Sequence, residues 1–114
     1  MITIDILNNF GANTSEGLER CLQDEDFYLD LIPSALDKES YDALEKALDA
    51  GDLDSAFDAA HALKGVLANL ALTPIYEPAS EMTELLRART KTDYAPLMKK
   101  IRDERQRLID MAGI

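Results

Sequence analysis

One histidine, His61, is present in the chain, and any chemistry that needs an imidazole must use it. A neutral imidazole nitrogen is a nucleophile that can attack phosphorus, and the phosphohistidine so formed is labile enough to pass its phosphoryl group onward. Lys64 follows three residues later and Gly65 four residues later. At helical spacing both are neighbours of His61. The Lys64 ammonium, a compact charge on a flexible stem, can approach phosphoryl oxygens. Gly65 leaves the surface beside the nucleophile without a side chain. A glycine in mid-helix costs about 0.5–1 kcal/mol relative to alanine, and close approach by a partner's active site would offset that cost. Each residue also has a plainer reading. A lone surface histidine usually carries no chemistry, Gly65 could serve close helix packing, and Lys64 could be a solvated charge.

Other chemistries fit these residues less well. No serine or cysteine is placed to share His61 in a catalytic triad. A single histidine is poor for a metal site, and the acids do not follow the Glu-x-x-His spacing of di-iron bundles. Neither a G-x-x-x-x-G-K-[ST] loop nor a kinase-type glycine loop is present, so the sequence offers no nucleotide site. No stably bound cofactor and no metal are expected.

The element that must position His61 is a long helix from about Leu53 to Leu72, capped by Asp52. Its apolar stripe runs through Leu53, Ala56, Phe57, Ala60, Leu63, Leu67 and Leu70. At about 100° per residue, His61 points roughly 110° from the centre of that stripe, toward solvent at the flank of a bundle. Asp54, Asp58, Gly65 and Ala68 share its side.

The remaining helices are punctuated clearly. Asn13-Thr14-Ser15-Glu16-Gly17 opens a short one, with Thr14 or Ser15 as its cap and Leu18, Cys21 and Leu22 on one face. Asp24-Glu25-Asp26 opens another, with Phe27, Tyr28, Leu31, Ile32 and Leu36 on its apolar side and a kink or break expected at Pro33. Tyr41, Leu44, Ala47 and Leu48 mark a helix that starts at Asp37 and stops at Gly51. Thr73 as cap and Pro74 at the first helical position start the next, which runs to about Arg89, with Pro78 bending its first turn. Thr92-Asp93 opens the last, toward Gly113, with Tyr94, Leu97, Met98, Ile101, Leu108 and Ile109 inward. The charged run from Arg102 to Arg107 reads as a solvated face. The expected fold is all-α: an antiparallel up-down-up-down four-helix bundle over residues 38–112, with short N-terminal helices in residues 1–37 packed across one end. The whole is one domain, since 114 residues leave too little surface for a second core.

Composition agrees. The chain is 46% hydrophobic and 30% charged, ordinary for a folded domain and unlike a disordered one. A net charge of -10 disfavours nucleic acid and anionic membrane surfaces as partners. Cys21 has no second cysteine to pair with and is expected to act as a small hydrophobe. The first residues lack the pattern of a signal peptide, and no apolar stretch approaches the roughly 20 residues needed to cross a bilayer. A cytoplasmic location is the expectation.

Residues Ala60-His61-Ala62-Leu63-Lys64-Gly65, followed by Ala68-Asn69-Leu70, resemble the signature of the histidine-containing phosphotransfer (HPt) family. The segment Leu44 to Asp52 resembles the family's helix and turn before the active helix, and Gly17 to Arg20 with Phe27 to Leu36 resembles its stand-alone form. The likeness covers about residues 15–90. It implies that His61 accepts the phosphoryl group, that Lys64 stabilises it and that Gly65 clears room for a partner. That partner would be a response-regulator receiver domain or a hybrid histidine kinase. The receiver would bring the aspartate and a Mg2+ ion, and would dock over Phe57, Asp58, Ala62 and Ala68. The family's usual state is a monomer without kinase activity of its own. Two departures stand out. Val66 and Leu67 replace the small hydroxyl residues common after the glycine, and Ala71 replaces a second glycine. A receiver-binding module that is never phosphorylated, and a helical bundle unrelated to phosphorelay, are the alternatives.

Overall fold

The structure is a computed structural model that describes residues 1–114. Seven helices follow one another: α1 (Ile4–Phe10), α2 (Thr14–Arg20), α3 (Glu25–Ala35), α4 (Lys38–Asp49), α5 (Leu53–Asn69), α6 (Thr73–Arg87) and α7 (Ala95–Ala112). There are no strands. The last four form the expected antiparallel bundle, with α5 against both α4 and α6, and α6 against α7. One continuous core joins all seven, from Leu7 and Phe10 through Tyr28, Tyr41 and Leu67 to Ile101 and Leu108.

Caps fix the helix starts. Asp24, Asp37 and Asp52 each accept a backbone N–H of the first turn of α3, α4 and α5, from Phe27, Glu39 and Ser55, which satisfies a donor the helix cannot. At α2 the cap is Asn13, whose side chain accepts from Glu16 N–H, rather than Thr14 or Ser15. At α6 the cap is Leu72, with Thr73 and Pro74 already inside the helix. Proline at that second position is harmless, because the first four N–H groups have no intrahelical partner.

Several expectations need correction. Helix α3 runs unbroken to Ala35 through Pro33; the proline lies in the last turn, where one absent hydrogen bond ends nothing. Phe27 is exposed at 47% and Leu22 at 86%, because α2 stops at Arg20 and the chain reverses through Leu22 and Gln23 in left-handed conformation. Helix α5 ends at Asn69, not Leu72. Ala71 takes φ 54° there, and the Leu72 N–H bonds back to Leu67 O at 3.1 Å, a helix-ending turn in which glycine is the usual residue. Ala71 thus occupies a backbone conformation that costs an L residue about 1 kcal/mol or more. Helix α6 ends at Arg87 rather than Arg89.

The N-terminal helices close the end of the bundle that holds the C-termini of α5 and α7. The Tyr28 hydroxyl donates to Leu70 O at 2.8 Å, and Asn13 N–H to Ala71 O at 3.0 Å. Gly17 is buried because the Tyr28 ring lies on it: a Cβ there would meet ring atoms at 2.5–2.6 Å. The run from Arg102 to Arg107 is more than a solvated face. Arg102 bonds to Asp42 and Glu45 of α4, at 2.7 and 3.1 Å. Arg105 donates to Leu36 O and lies over the Tyr41 ring, and Arg107 donates to Phe10 O and lies over the Phe10 ring. These arginines lay their stems along apolar surface and tie α7 to α4 and α1. No helix is long and apolar enough to cross a membrane.

Candidate functional site

Helix α5 presents Ala56, Ala60, Leu63 and Leu67 to the core and so turns His61 outward, where it is exposed. Four residues before it, Phe57 is half-buried and its ring stacks on the imidazole, with centroids 5.5 Å apart and planes 16° from parallel. Four residues after it, Gly65 is exposed, and a Cβ built there meets nothing within 4 Å. Close helix packing therefore does not account for this glycine. The contrast with Gly17, which is filled by Tyr28, is internal to the molecule.

Lys64 is the most covered of the polar residues here, its side chain 23% exposed. Its Nζ donates to Glu84 Oε1 of α6 at 3.2 Å. The other oxygen of Glu84 accepts from Arg87 Nε at 3.1 Å. The hydrogen bonds from Arg87 and then from Lys64 hold the Glu84 carboxyl below its usual range. The guanidinium of Arg87 lies 5.1 Å from the centre of the Phe57 ring, and that of Arg89 lies 5.0 Å from it. Arg89 also bonds to Asp54 at the start of α5, at 2.7 Å. Three cations thus surround the His61 face of a strongly acidic protein, and each is seated by an acid or an aromatic ring.

Asp58 and Ala62 are exposed, and Ala68 is half-buried. Ala62 lines a shallow groove of about 250 Å³ with Ala59, Leu63, Val66, Ala43, Ser34 and Ser40. Ala68 lines a separate depression beside Asn13, Tyr76 and Ala71. Leu67 is fully buried and Val66 is 38% exposed: the first belongs to the core, the second to the rim of the Ala62 groove. His61 itself lines none of the four main depressions. A depression of about 430 Å³ between α4 and the start of α7 is lined by no histidine, serine or cysteine. Small-molecule sites are concave, whereas an exposed imidazole on a convex helix face suits contact with another macromolecule. No group of three or more histidine, cysteine or acidic side chains is gathered to hold a metal ion.

Sequence reasoning missed Glu84, Arg87 and Arg89. The i,i+3 spacing of Glu84 and Arg87 is legible, but their register against α5 depends on the length of the turn at residues 70–72. A family model described as the Hpt domain matches residues 18–111. Neither the curated proteins nor the solved structures contain a significant match.

Proposed function

The chain belongs to the Hpt domain family, and from that premise we propose that it carries a phosphoryl group on His61, exchanging it with the aspartate of response-regulator receiver domains in two-component signalling. The observation that supports this most is the pairing of an exposed imidazole with a glycine whose surroundings inside the chain are empty. A helix bears the cost of that glycine for no internal packing gain, which is sensible where a second protein must press against it.

Each transfer breaks the P–O bond of an aspartyl phosphate as an imidazole nitrogen forms a P–N bond, and the carboxylate leaves; the reverse direction restores the acyl phosphate. Such a transition state is loose and in line, so positioning and electrostatics dominate. In this chain Phe57 holds the imidazole plane by stacking, Lys64 supplies a cation to the phosphoryl oxygens, and Gly65 leaves room for the incoming domain. Phe57, Asp58, Ala62 and Ala68 supply the surrounding contact surface. The magnesium ion that the family implies is assigned to the receiver. A hybrid histidine kinase that carries such a receiver is the expected source of phosphate.

The test is transfer from a phosphorylated receiver to wild type and to His61→Gln. Labelling of the wild type alone supports the carrier. A receiver that binds the wild type without labelling it would replace this reading with that of a docking module.

A further inference from the structure

A single carboxylate on α6 engages the charges on both sides of His61. Glu84 Oε1 accepts from Lys64 Nζ at 3.2 Å, and Oε2 accepts from Arg87 Nε at 3.1 Å. Arg87 rests on the Phe57 ring, and Phe57 stacks on the imidazole. The Lys64 charge is therefore not free when His61 is unmodified; it is held by an acid from the neighbouring helix.

We propose that Glu84 is a positioning residue that competes with the phosphoryl group on His61 for the Lys64 ammonium, and so keeps that group transferable. This inference deepens the carrier reading and rests on it. A phosphoryl group brings nearly two negative charges to a position one helical turn from Lys64. The Lys64–Glu84 pair is largely solvent-screened, so the phosphoryl group can draw the ammonium away, but only in competition. A cation fully committed to the phosphoryl oxygens would favour the phosphohistidine over the loose transition state, in which the P–N bond is already largely broken. Glu84 limits that commitment.

Spontaneous loss of the group reads this balance without a partner. In hydrolysis a water oxygen bonds to phosphorus while the P–N bond breaks. The imidazole nitrogen recovers the electron pair and takes up a proton, and inorganic phosphate leaves. Glu84→Gln keeps the side chain's size and removes its charge, which frees Lys64 for the phosphoryl oxygens.

The experiment labels the full chain with phosphoramidate, removes the donor, and follows loss of phosphohistidine at fixed pH and ionic strength. Wild type, Glu84→Gln, Lys64→Ala and the double variant are compared. The expected result is a phosphohistidine about twofold to fivefold longer-lived in Glu84→Gln, the range of a screened surface pair, with no such difference between Lys64→Ala and the double variant. A purely structural role for Glu84 would not vanish with Lys64. Equal lifetimes in wild type and Glu84→Gln, or the same ratio without Lys64, would overturn the inference while leaving the carrier intact. A wild type that takes no label would overturn the carrier reading and this inference with it.

Discussion

Replacing Gly65 with alanine should move stability and transfer in opposite directions. A Cβ at this position meets no atom of the chain within 4 Å, so nothing inside the protein must shift to admit it. Alanine in a helix interior is favoured over glycine by about 0.5–1 kcal/mol, which for a domain near this size raises the melting temperature by about 2–6 °C. The same methyl group stands one helical turn from His61, on the surface over which a receiver closes in the proposed reaction. Misplacement of reacting groups by about 1 Å can cost on the order of a hundredfold in rate, so transfer from a phosphorylated receiver should slow by about tenfold to a hundredfold. Phosphoramidate, being small, should label the variant at close to the wild-type rate. Rapid-quench transfer kinetics, small-donor labelling and thermal melts on the same preparation separate these effects. A variant that melts lower than the wild type, or receiver transfer that stays within about twofold, would rule out this role for Gly65.

Further predictions concern the scaffold. Gly17→Ala places a Cβ within 2.5–2.6 Å of the buried Tyr28 ring and should cost about 2–3 kcal/mol by overpacking, seen as a lower urea midpoint; an unchanged midpoint would contradict the packing described. Burial, and then Cys21, push the Tyr28 hydroxyl up to about 12, so its hydrogen bond to Leu70 O should survive mild alkali. On the acid side, Asp42, Asp52 and Glu84 are held below the usual carboxylate range, chiefly by hydrogen bonds from Arg102, Ser55 and Arg87. Their contribution is complete above the unfolded-state values near about 4 and is lost as pH falls through the lower folded values. The melting temperature should therefore hold from pH 7 to about 5 and fall below about 4. Asp52→Asn should show a shallower acid fall, and an identical slope would contradict the assignment.

The bundle was legible because its signals are local. Asp24, Asp37 and Asp52 announce helix starts by side-chain chemistry that acts within three residues, and the stripe through Ala56, Ala60, Leu63 and Leu67 is a property of α5 alone. His61, Lys64 and Gly65 could be placed together for the same reason. Helix α1 was not anticipated, since seven residues capped by Thr3 carry too short a pattern, and their helical state depends on Leu7 and Phe10 reaching the core. The outward turn of Phe27 and Leu22 follows from where α2 ends, which the apolar spacing does not mark. Glu84, Arg87 and Arg89 meet α5 only through the register of two antiparallel helices. That register is set by the left-handed turn at Ala71, a residue whose type gives no warning of its conformation. The arginines of α7 looked like a solvated run for the same reason: Arg102 and Arg107 find partners 57 to 97 positions away in sequence.

The central claim is that His61 bears the phosphoryl group. Its most direct test is to expose wild type and His61→Gln to a phosphorylated receiver, then establish the chemical nature of any phosphate bound to each. The expected result is phosphate on the wild type that is labile to acid and stable to base, located on His61, and none on a folded His61→Gln. Equal labelling of the two proteins, or phosphate stable to acid, would contradict it.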